Sequence, residues 1–206
     1  VYATPFTASM LEAKIAGERG REPVPVKEVA LGSTISLGPF EIELVTVAHS
    51  IPEPNALAIT TRLGTVVHTG DWKLDPEPLI GEPTNQKRFE EIGAAGCRAI
   101  ICDSTNVLRE GTSPSEGDVS RGIKQVIAES PGRVAVTCFA SNLARIQAIA
   151  DAAADTDRDI VVVGRAMHRV ISVGRMLGLL NERARFVDES AFGYLPPDKS
   201  VLLCTG

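Results

Sequence analysis

The chain has 206 residues, enough for one large domain or two smaller ones with their own hydrophobic cores. It carries 21 Lys and Arg against 26 Asp and Glu, a formal net charge of −5 at pH 7. This balance argues against a non-specific nucleic-acid coat, which relies on many phosphate contacts, but not against an enzyme that holds nucleic acid in one local groove.

The apolar stretches are too short for a membrane protein. No run approaches the roughly 18 apolar residues of a membrane span, and the first residues do not have the pattern of a signal peptide. The four cysteines have irregular spacing and lie in or beside strand-like apolar runs. They are predicted to be buried, reduced thiols, as suits a cytoplasmic protein without membrane partners.

The first half of the chain is predicted to be rich in β-strands. Residues 7–18 have apolar side chains at helical spacing, with Thr7 as a candidate N-cap. Short strands are predicted over 24–48, followed by a hairpin over 56–71 that turns at RLGT. A short helix over 83–96 then leads into CRAIICDS (97–104), which is predicted to be a buried strand.

From about residue 112 strands alternate with helices. Ser113 and Glu116 have the spacing of a capping box at a helix start. Strand and helix then alternate through RVAVTCF (133–139), NLARIQAIADAAAD (142–155), DIVVVG (159–164), HRVISVGRMLGLL (168–180) and SVLLCTG (200–206). This order predicts a parallel sheet whose working loops follow the carboxyl ends of the strands. We place the domain boundary near residues 108–113, between domains at 1–110 and 111–206.

Two residues in the first half are candidate metal ligands. His49 directly follows an apolar strand, and Asp71 follows the glycine of HTGD after the next hairpin. Taken singly, each is more often structural, as a hydrogen-bonded histidine or a turn-forming aspartate. The pair in this order is more specific, since a carboxylate can bridge two cations and a neutral imidazole ligates one. His68, inside a strand, and His168, at a helix start, are interpreted as structural and surface residues.

Several motifs occur together and in order along the whole chain. They are HSIPEPNALAITTRLGTVVHTGDWKLD (49–75), CDSTN (102–106), TSPSE (112–116) and CFASNLARIQ (138–147). Together they resemble the ribonuclease J family of metallo-β-lactamase/β-CASP nucleases. The resemblance implies an α/β fold in which part of a metallo-β-lactamase αββα sandwich is followed by a β-CASP α/β domain with a mainly parallel sheet.

The same resemblance implies a dinuclear zinc site. His49 matches the histidine that binds one zinc, and Asp71 matches the aspartate shared by both. Asp103 corresponds to the catalytic acidic residue at the mouth of the site, which orients a histidine that assists protonation of the leaving group.

A nucleotide groove is implied by the FASN motif. Phe139, Ser141 and Asn142 match the substrate-binding loop of the family, where an aromatic ring can stack on a base and a helix N-terminus favours phosphate. The alternatives are packing at a strand end for Phe139 and capping of the next helix by Ser141 and Asn142.

The implied activity is that of a zinc-dependent ribonuclease, both 5′→3′ exonuclease and endonuclease, acting on 5′-monophosphorylated RNA as a homo-oligomer when full length. In this family an H-x-H-x-D-H loop lies upstream of the matched region, and further ligands lie downstream. Two four-coordinate zinc ions need about eight ligand positions, and the chain has three histidines. We therefore expect this chain alone neither to bind zinc tightly nor to cleave RNA.

Two other functions remain open. One is a different metallo-β-lactamase hydrolase acting on a small ester or thioester, although such enzymes lack the β-CASP insertion. The other is a catalytically dead nucleic-acid-binding or scaffold module.

Overall fold

The structure is a computed structural model that describes residues 1–17 and 24–205. The helices are α1 (Pro5–Ala16), α2 (Gln86–Gly96), α3 (Glu116–Glu129), α4 (Leu143–Asp155) and α5 (Arg165–Met176). The strands are β1 (Tyr2–Ala3), β2 (Lys27–Glu28), β3 (Thr34–Leu37), β4 (Phe40–Thr46), β5 (Asn55–Thr61), β6 (Gly64–His68), β7 (Cys97–Ile101), β8 (Val134–Thr137), β9 (Asp159–Val162), β10 (Phe186–Asp188) and β11 (Ser200–Cys204). Short 3-10 helices cover Glu189–Gly193 and Pro197–Lys199.

The first half forms a five-stranded sheet in the order β3-β4-β5-β6-β7. Its strands are antiparallel except for the parallel pair β6–β7. Alternate residues of β5, Ala56 and Ala58, are buried with Val45, Val67 and Ile92 in a core between the sheet and α2. This sheet and helix are the part of the expected αββα sandwich that the described residues contain.

The last strand of this sheet corrects one prediction. CRAIICDS does contain a strand, β7, but the strand is not buried: Ile100 and Ile101 are 64% and 56% exposed. β7 lies at the sheet edge and pairs on one side with β6. An apolar run in the sequence cannot by itself distinguish a buried strand from an apolar edge.

The second half forms a four-stranded parallel sheet in the order β10-β9-β11-β8. The parallel sheet and the predicted strand–helix alternation are thus confirmed. Strand β10 was missed because its three residues are too few for a periodic signal. Helix α4 dominates the hydrophobic core of the second half, where its residues Leu143, Ile146 and Ile149 are completely buried.

Helix α1 packs with this second core. Phe6 is buried within it, and Met10 and Ala13 pack against it. The division into domains at 1–110 and 111–206 stays a prediction: the two large sheets lie on either side of it, whereas α1 packs across it.

Four helix starts differ from those predicted by two or more residues, and α2 begins at Gln86, three residues after its predicted start at residue 83. Helix α1 begins at Pro5 after Thr4, so Thr7 lies inside the helix, and the predicted last residue, Glu18, lies outside the described residues. The capping box of α3 is formed by Ser115 and Asp118, and not by Ser113 and Glu116. Helix α5 begins at Arg165, three residues before the predicted start.

The cysteines are less buried than predicted. All four lie in the described part of the chain and are free thiols, but Cys102 is exposed, and Cys97, Cys138 and Cys204 are half-buried. The apolar runs in which they occur end at exposed strand ends, which explains the difference.

Candidate functional site

One cleft joins the two halves of the chain. It has a volume of about 390 Å³, and its lining includes His49 and Asp71 from the first half and Phe139 and Ser141 from the second. Two sets of residues that are separated by nearly 70 positions in the sequence therefore face one space. Ser50 lies beside the imidazole, with its hydroxyl 3.2 Å from Nδ1 of His49.

A buried threonine holds the two candidate ligand loops together. Ala48 and Lys73, which flank the candidate ligands, form an antiparallel bridge, and the Lys73 N–H donates to the Ala48 carbonyl at 3.0 Å. The Thr84 hydroxyl donates to the Lys73 carbonyl at 2.7 Å and accepts from the Ala48 N–H at 2.8 Å. These bonds fix the backbones next to His49 and Asp71 in one register.

A glycine in the left-handed backbone conformation turns the chain before Asp71. Gly70 has a φ of 59°, a conformation that favours glycine. Its N–H donates to Nδ1 of His68 at 3.1 Å, and the neighbouring Thr69 N–H donates to the Ile101 carbonyl. His68 therefore supports this turn, in agreement with its structural interpretation. Asp71 itself is exposed at the cleft.

Asp103 lies next to this turn and within electrostatic range of His49. Its N–H donates to the Thr69 hydroxyl at 3.1 Å, and its carbonyl accepts from Nε1 of Trp72 at 3.4 Å. Hydrogen bonds from Thr105 lower the pKa of the Asp103 carboxyl, and the His49 imidazole acts in the same direction when it is protonated. Asp103 lines the neighbouring cleft with Trp72 and Thr105, and not the His49 cleft itself.

The FASN loop follows the carboxyl end of β8, as predicted for a working loop. Phe139 is 83% exposed, so its ring is free to stack and does not pack at the strand end. Ser141 is exposed at the cleft. Asn142 is buried, and its side-chain oxygen accepts from the Arg145 N–H at 2.9 Å, which makes it the N-cap of α4. Capping, one of the two predicted roles of Asn142, is thus present.

The thiol next to this loop is not suited to nucleophilic chemistry. Burial raises the pKa of the Cys138 thiol, so it is protonated at neutral pH. The positive charge of Arg145 acts on the thiol pKa in the opposite direction but does not outweigh burial.

The donor set fits a metal site only in part. An imidazole and a carboxylate on one cleft are ligands of the type that zinc binds. Among residues 1–17 and 24–205, however, no three His, Cys, Asp or Glu side chains are grouped so that they could hold a metal ion. His49 and Asp71 can therefore supply part of a site, and further ligands would be needed.

Glu53 is a cleft residue that the sequence analysis missed. It has a φ of 57°, which is unusual for a residue with a side chain, and its carboxylate accepts from the Phe6 N–H at 2.9 Å in the first turn of α1. The bond ties the loop after His49 to α1. No sequence signal marks a backbone strained in this way, although its position four residues after His49 could have drawn attention to it.

These features define a class of protein, an α/β protein whose second half is built on a parallel sheet. Residues 131–206 match the family described as "Ribonuclease J, beta-CASP domain". A chain of 206 residues thus carries this domain in its second half, as its sequence predicted.

The similarity extends over the whole chain. Relatives named Ribonuclease J come from Sinorhizobium meliloti (51% identical), Mycolicibacterium smegmatis (42%) and Thermus thermophilus (35%), and each alignment covers 100% of this chain. The chain belongs to the ribonuclease J family. It spans 36%, 37% and 36% of those three relatives, respectively.

One solved structure supports the fold alone. A protein of unknown function from Enterococcus faecalis V583 matches 100% of this chain and 52% of its own length, with a TM-score of 0.69 and 15% sequence identity. Within residues 1–17 and 24–205, no helix has the length and apolarity that a membrane span requires.

Proposed function

We propose that this chain is part of a zinc-dependent ribonuclease that processes and degrades RNA by 5′→3′ exonucleolytic and endonucleolytic cleavage. The observation that carries the proposal is the shared cleft. It has a volume of about 390 Å³, and His49, Asp71, Phe139 and Ser141 all line it. Membership of the ribonuclease J family supports the same activity, since the relatives carry that name.

The ligand roles follow from chemistry and position. His49 would hold one zinc ion through its imidazole, and Asp71 would contact two through its two carboxylate oxygens. When bound, such a metal pair supplies hydroxide near neutral pH and stabilises charge on the scissile phosphate. Asp103 would help to orient a histidine at the mouth of the site. Because the described donors make up only part of a site, the remaining ligands are assigned to the longer protein, and this chain alone is expected to be inactive.

The groove residues would hold the substrate. The exposed ring of Phe139 offers a stacking surface for a base, which suits an enzyme that tolerates many sequences. Ser141 and the N-terminus of α4, capped by Asn142, offer donors to a phosphate oxygen. We propose 5′-monophosphorylated RNA as the substrate, a cytoplasmic location, and assembly of the full-length protein into a homo-oligomer.

The scaffold alternative is a second candidate, because no complete metal site is found among the described residues. In that case the full-length protein would bind RNA without cleaving it. The small-ester hydrolase alternative is disfavoured by the β-CASP match over residues 131–206.

The test uses the full-length protein on 5′-monophosphorylated RNA, with and without a chelator. We expect cleavage that the chelator abolishes, and an Asp71→Ala variant at least about 100-fold slower because it loses a shared ligand. The matched control is Asp198→Ala, which should retain activity. Asp198 is an exposed aspartate on the Pro197–Lys199 helix. Binding without cleavage by the wild type would favour the scaffold, and full activity of Asp71→Ala would refute the site.

A further inference from the structure

An ion-pair network with two buried carboxylates connects the Asp71 loop to helix α4, which follows the FASN loop. We name it the Glu116 network; its members are Lys73, Asp75, Glu116 and Arg145. Lys73 and Asp75 follow Asp71 in the chain, Glu116 begins α3, and Arg145 lies in the first turn of α4.

On the first side, Asp75 receives the start of helix α3. Its carboxylate accepts from the Glu116 N–H at 2.9 Å and from the Glu77 N–H at 3.0 Å, and it pairs with the Lys73 ammonium at 2.9 Å. The Asp75 side chain is 1% exposed, so these contacts are shielded from water. A carboxylate at a helix N-terminus is also stabilised by the helix dipole. The same ammonium donates to the Pro114 carbonyl at 3.2 Å.

On the second side, Glu116 reaches helix α4. Its carboxylate accepts three bonds from the Arg145 guanidinium at 3.3–3.4 Å and lies 3.7 Å from the Lys73 ammonium. Two cations from different halves of the chain thus converge on one carboxylate that is 11% exposed. Because ion pairs that are partly removed from water are screened less than exposed pairs, this contact should persist at salt concentrations that weaken a surface pair.

Both ends of the network lie directly beside the candidate site. Lys73 forms the backbone bridge with Ala48, which precedes His49, and it is two residues from Asp71. Arg145 donates its N–H to Asn142 at the end of the FASN loop. Through Glu116, the candidate ligand loop and the groove loop are joined by an unbroken path of short contacts.

We propose that Glu116 is a positioning residue, which holds the loop carrying Asp71 at a fixed distance from the loop carrying Phe139 and Ser141. Its kinetic consequence depends on the proposed ribonuclease function; its structural consequence does not. Glu116 does not line the cleft, and its carboxylate acts through Lys73 and Arg145.

The experiment compares Glu116→Gln, Arg145→Ala and Arg145→Lys in the full-length protein. The matched control is Arg121→Gln, since Arg121 on α3 pairs with Glu77 in the segment after Asp75, but with both side chains more than half exposed. Each variant is measured for kcat and KM on 5′-monophosphorylated RNA, for thermal unfolding, and for amide hydrogen exchange over residues 69–75 and 139–146.

We expect kcat to fall by about 10- to 100-fold in Glu116→Gln and Arg145→Ala, because a displacement of the site loops by about 1 Å slows the reaction. KM should change less than threefold, because the residues that bind the RNA are retained. Exchange should quicken in both segments together, while Arg145→Lys restores most of kcat and Arg121→Gln behaves as wild type. The proposal is overturned if amide exchange over residues 69–75 and 139–146 in Glu116→Gln and Arg145→Ala is the same as in Arg121→Gln. It is also overturned if these two variants lose thermal stability but keep a normal kcat. If the wild type cleaves no RNA, the proposed function fails, and paired exchange in the two segments still decides the positioning role.

Discussion

At the scale of single residues, Gly70 shapes the turn that precedes Asp71. A Cβ added at Gly70 would meet only the Asn55 carbonyl oxygen at 3.4 Å, an ordinary contact, so space does not require glycine here. The backbone does, because its φ of 59° is costly for most side chains.

We therefore expect Gly70→Ala to lower the free energy of unfolding by about 1–2 kcal/mol. Gly70→Asn should cost less, since asparagine adopts the left-handed region more readily than alanine. Urea denaturation of the three proteins measures both effects. Equal losses in the two variants would show that the left-handed conformation is not the reason for glycine.

Asp75 makes the stability of the protein depend on pH. Burial raises the pKa of its carboxyl, but bonds from Lys73, Glu116 and Glu77 outweigh burial, and the pKa is lowered overall. A carboxyl with a lower pKa in the folded than in the unfolded state adds stability above its unfolded value, about 3.9. That stability is lost as the pH falls through the folded value.

Asp75→Asn should accordingly destabilise the protein by roughly 1–3 kcal/mol at pH 7, because Lys73 loses the nearer of its two carboxylate partners and keeps only Glu116. The difference from wild type should shrink below about pH 4 as the wild-type carboxyl takes up a proton. Denaturant unfolding at a series of pH values checks this, with Asp198→Asn as the exposed control. A difference that stays constant from pH 7 to pH 3 would contradict the assigned pKa direction.

At the scale of elements, periodic segments were predictable and their ends were not. The hairpin β5–β6, helix α4 and strands β8, β9 and β11 follow from clear alternation or helical spacing in the sequence. Capping failed for α3 because TSPSE offers two serines with an acidic residue three positions later, and only the tertiary contact of Asp75 with the Glu116 N–H selects Ser115. The exposure of β7 was unpredictable because it depends on what covers the sheet edge.

Helix α4 supplies the stability of the second core. Ile149 of α4 is fully buried in the second core, which also contains Leu143, Ile146 and Val201. Ile149→Ala should reduce the free energy of unfolding by about 2–5 kcal/mol, through lost burial and the cavity left behind. Val126→Ala on α3, where Val126 is 58% exposed, is the comparison and should cost well under 1 kcal/mol. Guanidinium denaturation measures both, and similar losses would contradict the assigned core.

At the scale of the whole molecule, the site depends on two loops that only the fold brings together. The sequence motifs pointed to His49, Asp71, Phe139 and Ser141, and in the structure these four residues line one cleft. Asp103 and Asn142 lie next to it in different roles, as a neighbour of His49 and as a helix cap. The Glu116 network and Glu53 lie within the quoted motifs, but the sequence did not show their contacts, because these contacts join segments that are distant in sequence.

The position of α1 was hidden for the same reason. Its sequence predicts a helix, but which core it joins depends on Phe6, and that side chain packs with α4 and its neighbours in the second half. A connection of this kind is set by the tertiary arrangement and leaves no local signal.

The central claim is that the His49 imidazole and the Asp71 carboxylate serve one metal site that the longer protein completes. Zinc titration by calorimetry tests it most directly, on the full-length protein, its Asp71→Ala variant and the 206-residue chain. The full-length protein should bind about two equivalents with submicromolar affinity, and the variant should lose at least one. The 206-residue chain should bind neither tightly. Two equivalents bound tightly by the 206-residue chain, or undiminished binding by the Asp71→Ala variant, would contradict the claim.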